Sequence, residues 1–442
     1  MVGLLHTAVR LWIVLGPGMS GPGRSDEQSF HLPVIQSFAS QWPNLDLSDY
    51  LAASTPGYHI AMVGVSALTR GDLDAMRLTS GALVTLLILA LVWFAGRRVG
   101  GVSAFALSLP LIASPYVLGA STLLLPEGAA WTLLTCLILL MLRPRVDWKT
   151  YALAGTLVLL IVFTRQIFLW GAGLVWLGAW LGPDAADGPP SRLIPPRGRW
   201  LLAQRIPRAV LAFAITLPAF ACVWSFYRLW GGLTPPLFQE GGDAAMELAG
   251  THTGANPSVV LLTLALLALA GVFYVGYLIR PLQAAWVQRR ALCARALTLG
   301  GALGLTLALA IPSSFDREAG RYSGLWNAIG RLPTLADRSP VMLALAPAGG
   351  VMLAAIWLVL PRRAGWIIIA SVAGFAIAQS ANHQAWQRYV EPMALIVLML
   401  TAALASRPSA GERPVTTPRW AWLGPAALAV LLGLVSLTRI GA

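Results

Sequence analysis

The feature that most constrains this chain is the recurrence of long, uncharged apolar runs separated by short arginine-bearing loops. A helix of about 17–25 apolar residues crosses the hydrocarbon core of a bilayer. Runs of that kind lie near 3–20, 75–96, 103–120, 125–142, 150–164, 166–182, 208–229, 258–279, 296–312, 340–360, 365–381, 390–406 and 420–438, roughly thirteen in all. In lipid each backbone amide must bond within its own segment, so such runs fold as helices. The expected class is therefore an all-α polytopic membrane protein. Composition agrees: 57% of the residues are hydrophobic, 11% are charged and the mean hydropathy is +0.70, outside the range of soluble domains. A net charge of +13 would suit a nucleic-acid binder only on a soluble domain with a basic face, and none is visible, so no nucleic-acid partner is expected.

Orientation follows from where the arginines fall. Alternate loops carry Arg97/Arg98, Arg143/Arg145/Lys149, Arg192 to Arg208, Arg280 to Arg295, Arg362/Arg363 and Arg407/Arg413/Arg419, which the positive-inside rule makes cytoplasmic. Most of the acidic residues then face out. The parity holds only if "TRQIFLW" turns back on the outer side. Residues 1–442 read as a single integral membrane domain, with a first exoplasmic loop at 21–74, a basic cytoplasmic linker at 183–207 and a second long exoplasmic loop at 313–339. Short loops and an arginine bias point to a prokaryotic plasma membrane with its working face outward.

The first long loop has its own periodicity. "FHLPVIQSFASQW" places Phe30, Val34, Ile35, Phe38 and Trp42 on one helical face, the pattern of an interfacial helix. "TPGYHIAMVGVSAL" reads as a second short apolar helix started by Thr55-Pro56. Cys136, Cys222 and Cys293 sit in or beside apolar runs and form no CxxC pair. Neither a disulfide framework nor a metal site nor a cofactor is expected.

Chemistry-bearing residues gather at the outer face. "SDEQSFHLP" supplies Asp26, Glu27 and His31, and the outer ends of later spans bring Glu127 ("LLLPEGAAW"), Arg165 and Gln166 ("FTRQIFLW"), Arg321 and Tyr322 ("GRYSGLW"), and His383, Arg388, Tyr389 and Glu391 ("NHQAWQRYVEP"). Arginine on the acid-rich side needs a local reason. Its planar fork binds phosphate bidentately and never loses its charge. Arg165 is the sharpest case, because it interrupts an apolar run where an isolated charge is expensive unless it pairs or faces water. A structural salt bridge to Glu127 is the competing account.

These stretches together resemble the eukaryotic dolichyl-phosphoglucose alpha-1,2-glucosyltransferases of asparagine-linked glycosylation. The likeness lies in the Asp-Glu, Phe-His and "STPGY" elements of the first loop and in the Glu127, Arg165-Gln166, Arg321-Tyr322 and Arg388-Tyr389 stretches. It implies a GT-C-like many-helix fold, a polyprenyl-phosphate-linked sugar donor, a glycan or lipid-linked acceptor, membrane lipid around the chain and an acidic catalytic residue in the first outer loop. One extra residue lies between the acidic pair and Phe30-His31, so the family's aspartate corresponds to Asp26 or to Glu27. Asp26 is preferred, as the short side chain beside the first helix, with His31 orienting the base or contacting the acceptor. Arg165, Arg321 and Arg388 are the expected phosphate clamps. One carboxylate suffices for a single inverting displacement. The reaction expected is inverting transfer of a hexose, glucose by resemblance. A transporter or flippase of a lipid-linked saccharide is the alternative, but it would place ionisable groups near the midplane in two related halves, and the halves here are unlike.

Overall fold

The computed structural model describes residues 1–441 apart from 144–145, 183–198, 240–254, 314–323, 383 and 407–416. Arg321, Tyr322 and His383 lie outside the described residues, as do most of the linker expected at 183–207 and part of the loop expected at 313–339. Among the described residues the regular structure is helical, with two isolated β-bridges and no strand.

Helix α1 (Val2–Leu15) leads to a short α2 (Pro22–Asp26), a π-helical turn at Glu27–His31, α3 (Leu32–Gln41) and α4 (Gly57–Leu68). There follow α5 (Leu73–Val99), α6 (Gly101–Ala113), α7 (Pro115–Thr122), α8 (Pro126–Met141), α9 (Trp148–Thr164), α10 (Gly171–Leu181) and α11 (Arg199–Trp230). The remainder is α12 (Ser258–Gly271), α13 (Val275–Ala310), α14 (Gly324–Ile329), α15 (Pro340–Val359), α16 (Arg362–Gln379), α17 (Gln387–Ala405) and α18 (Leu423–Leu437).

Local sequence sets the boundaries. Asp72 and Asp147 cap α5 and α9 by accepting from the amides of Ala75 at 2.7 Å and Thr150 at 2.9 Å, which satisfies donors left open at a helix start. Extended Ser114 followed by Pro115 breaks the run 103–120 into α6 and α7, bent by 73°. The run around Arg165 is interrupted too: α9 stops at Thr164, Arg165 is extended, and a 3-10 turn at Gln166–Trp170 precedes α10. By contrast the basic stretch 280–295, expected as a loop, is helical within α13 and carries a kink at Arg289.

Five helices are long and apolar enough to cross a membrane, or six with α6 and α7 taken as one bent span. The other expected spans are occupied by shorter or more charged helices, so helix length does not fix the count at thirteen. Large apolar side chains on α11 and α18, among them Phe213, Trp224, Leu431 and Leu434, are exposed, as a lipid-facing surface requires. Helices α13 and α15 approach through Gly300 and Gly350, where a Cβ on either would stand 2.4 Å or less from the other's carbonyl oxygen. Small residues allow such contact in membrane bundles.

The first long loop folds into a second core. Val34, Ile35 and Phe38 of α3 pack with Tyr58, Met62 and Val63 of α4, and with Tyr50 and Trp230. Trp230 locks the loop by donating its indole N–H to the Leu47 carbonyl at 2.7 Å. Trp42 departs from the expected face: α3 ends at Gln41 and the indole is exposed. This loop packs at the Asp72 end of α5, while Arg97 and Arg98 occupy the other end, 27 residues on or about 40 Å away.

Candidate active site

Four backbone segments converge where α2 ends. Asp26 closes α2, Glu127 stands in the first turn of α8 just after Pro126, Arg165 occupies the break between α9 and α10, and Arg388 begins α17. A carboxylate in a first helical turn is favoured by the unpaired amides there. The charges interlock: Arg388 Nη1 binds Asp26 Oδ2, Arg165 Nη1 meets Glu127 Oε1 at 3.1 Å, and Arg388 Nη2 lies 4.0 Å from that same Glu127 oxygen. Both guanidiniums lie 4.8 Å from the Tyr389 ring centroid, and Arg388 donates to the Tyr389 hydroxyl at 2.6 Å. Arg388 is also stacked 3.8 Å above Trp386. The aromatic shelf fixes the planar forks through their faces, and the Tyr389 hydroxyl takes one of the Arg388 donors.

Two buried atoms of this cluster lack a partner, Glu127 Oε2 and Arg388 Nε. An unsatisfied buried carboxylate oxygen is costly, and both residues line a cavity of about 530 Å³, a size typical of ligand sites. Its other walls include Leu123, Leu125, Trp131 and Tyr116, with Arg331 and Arg439 among its polar groups. Burial raises the Asp26 carboxyl above the usual carboxylate range; Arg388 opposes that rise and Glu127 adds to it.

Glu27 stands elsewhere. Its carboxylate is fully buried in a bidentate pair with Arg77, Nε to Oε1 at 3.0 Å and Nη2 to Oε2 at 2.6 Å, and Oε1 also accepts the Leu124 amide at 2.8 Å. Each oxygen is already hydrogen-bonded, and the pair ties the first loop to α5 and to the chain entering α8. Gln166, expected at the substrate, spends its amide on backbone, accepting from Thr55 N and donating to the Ala53 and Leu233 carbonyls. Glu391 accepts from Ser114 at 2.7 Å and from Gln387 at 2.7 Å, and the Gln387 oxygen accepts the Leu325 amide.

His31 meets a histidine that sequence reasoning did not single out. Its Nδ1 lies 3.0 Å from His59 Nε2, the rings stack with centroids 5.3 Å apart, and His59 Nδ1 is buried without a partner. Burial, with Arg165 and Arg388 adding to it, pushes His31 down to about 3, and His59 is also held well below its ordinary value, again chiefly by burial. Both rings are neutral at pH 7. Arg77, His59, Arg331 and Arg439 were missed. Arg77 and Arg331 carried a signal, each an arginine on the acid-rich side like Arg165.

Neither a protein-family model nor a curated protein matches the sequence. Among solved structures, ArnT from Cupriavidus metallidurans is similar over 91% of this chain and 75% of its own. The apo state aligns at 14% identity with a TM-score of 0.36, and the state bound to undecaprenyl phosphate at 16% with 0.38. A likeness this loose assigns no residue a role.

Proposed function

We propose that the chain is a GT-C-type inverting glycosyltransferase that moves a hexose from a polyprenyl-phosphate donor to a glycan or lipid-linked acceptor on the exoplasmic side of the membrane. The observation that carries this reading is Asp26: a half-buried carboxylate of raised proton affinity, held on Arg388, which lines a cavity that also contains the unsatisfied oxygen of Glu127. A base in such a setting works near neutral pH better than an ordinary aspartate does.

In the proposed step the acceptor oxygen bonds to the anomeric carbon as the bond from that carbon to the phosphate oxygen breaks. The hydroxyl proton passes to Asp26, and the electron pair leaves with the phosphate. Arginine charge stabilises the anion that grows as this happens. Glu127, paired with Arg165, offers its second oxygen to a donor hydroxyl. That leaves one carboxylate acting on the acceptor, hence inversion. Undecaprenyl phosphate, held by the ArnT structure, is the lipid to try first, and glucose, by the sequence resemblance, the first sugar.

The test is transfer from radiolabelled undecaprenyl-phosphate hexoses by the purified protein, with inversion read from the product's anomeric configuration. Product formed by the wild type and absent with Asp26→Asn is expected. Undiminished transfer by Asp26→Asn would remove the mechanism.

A further inference from the structure

Two of the three arginines expected to clamp phosphate already have partners, and the third, Arg321, lies outside the described residues. Arg388 binds Asp26 and the Tyr389 hydroxyl, and Arg165 binds Glu127. A phosphate placed on either would compete for guanidinium charge with a carboxylate that the reaction needs. The same cavity holds two further guanidiniums, Arg331 and Arg439, and among the described residues no carboxylate lies within 4.0 Å of either. Arg439 lies with its guanidinium 4.9 Å from the Tyr116 ring, hydrogen-bonds that side chain and feels the Glu391 carboxylate from beyond hydrogen-bond range. Its backbone is fixed, because the Arg439 carbonyl accepts both the amide of Ser20, at 2.8 Å, and its hydroxyl, at 3.0 Å.

Charge in the cavity is unbalanced. Three guanidiniums and one carboxylate line it; behind them Asp26 and Arg165 offset one another, and Glu391, which acts on Arg439, lowers the positive excess without cancelling it. A phosphodiester carries one negative charge and a phosphomonoester close to two near neutral pH. The positive excess therefore suits an anionic phosphate and gains in effect as charge grows on the departing group. The apolar part of a lipid phosphate has Met19, Leu123, Leu125 and Trp131 beside it.

We propose that the phosphate of a lipid monophosphate is seated on Arg331 and Arg439, leaving Arg388 and Arg165 to position the carboxylates Asp26 and Glu127. The proposal rests on the glycosyltransferase reading and names where its leaving group is held.

Binding of farnesyl phosphate, farnesol and inorganic phosphate to the full-length protein in detergent, followed calorimetrically, tests it. Wild type should prefer farnesyl phosphate to both controls. Arg331→Gln and Arg439→Gln should each weaken farnesyl phosphate about tenfold and the double variant about a hundredfold, with farnesol binding unchanged. Arg388→Gln, shown folded by gel filtration and circular dichroism, should keep its affinity within about twofold while its transfer rate falls about tenfold or more. An unchanged double variant, or a loss confined to Arg388→Gln, overturns the assignment and leaves the glycosyltransferase reading standing. Equal loss of farnesol by the double variant marks a structural effect and overturns it too. Inorganic phosphate bound as tightly as farnesyl phosphate would make the occupant free phosphate, and a wild type that does not prefer farnesyl phosphate to farnesol would remove the lipid-phosphate reading itself.

Discussion

Asp26 and Glu27 are adjacent in the chain, yet their carboxylates serve different arginines: Asp26 reaches Arg388 at the start of α17, while Glu27 is sealed against Arg77 of α5. The π-helical turn that begins at Glu27 sends the two side chains apart. One is left at the edge of a cavity and the other is built into the wall behind it.

Asp26→Asn is therefore expected to lower transfer at least a hundredfold while the thermal midpoint stays within a few degrees of wild type. Glu27→Gln should do the reverse. Neutralising one partner of a buried pair costs about 3–5 kcal/mol, so this variant should melt earlier and retain turnover in whatever fraction folds. Parallel melting curves and transfer assays at matched protein decide the matter; the opposite pattern would exchange the two roles.

The acid limb of the pH profile offers a test with two signs. Asp26 titrates above the ordinary carboxylate range, with Arg388 pulling it down and Glu127 pushing it up. In Arg388→Gln the limb of kcat/KM should move to higher pH, and in Glu127→Gln to lower pH, by about one unit or more each. Shifts of the same sign in both would show that another group controls the limb.

Stability should respond to acid through the histidines. His31 is neutral and held down at about 3, below the 6.5 of a free histidine, so the unfolded chain binds more protons between those values. The contribution is fully present above pH 6.5 and is lost as pH falls toward 3. His59 acts in the same direction, whereas Asp26, raised, opposes both in the carboxylate range. Melting followed from pH 8 to pH 4 should be level at first and decline below about 6.5, and His31→Phe with His59→Phe should flatten that decline.

Membrane sidedness is open to labelling. In a variant with Cys136, Cys222 and Cys293 changed to alanine, Ser25→Cys should react with an impermeant thiol reagent in intact cells and Lys149→Cys only after lysis. Both positions are exposed. The converse pattern would turn the map over and place the site on the cytoplasmic face.

Gly81 provides a packing test. A Cβ there would fall 1.8 Å from the Ser121 carbonyl oxygen and 2.5 Å from Arg10 Nη2, where α5, α7 and α1 meet. Arg10 is buried and donates to the carbonyls of Ser121 and Leu78 and to Thr85. Gly81→Ala should cut folded yield sharply, by fluorescence-detected gel filtration. Gly64→Ala, with open space at the same atom, should not.

Much of this was legible in the sequence because burial in lipid leaves few choices. Apolar length marked the helical segments, and the spacing of Val34, Ile35 and Phe38 marked α3. Arg165 announced itself as a charge in an oily run, and Glu127 was its natural partner. What escaped depends on contacts between distant segments. Nothing local distinguishes Asp26 from Glu27 until Arg77 and Arg388 are placed. Gln166 looks like a ligand group until Thr55 and Leu233 are seen around it, and His59 matters only once α4 is laid against His31. Helix count suffered for another reason: Ser114-Pro115 breaks a run whose hydropathy alone reads as continuous.

The Gln387 side chain connects two places that the primary structure keeps far apart. It receives the Leu325 amide and donates to Glu391, which in turn is held by Ser114 at the bend between α6 and α7. Arg388 is the next residue. One amide group thus pins the short helix after residue 323 to the turn whose next guanidinium grips Asp26, so neither can shift without giving up a hydrogen bond to the other.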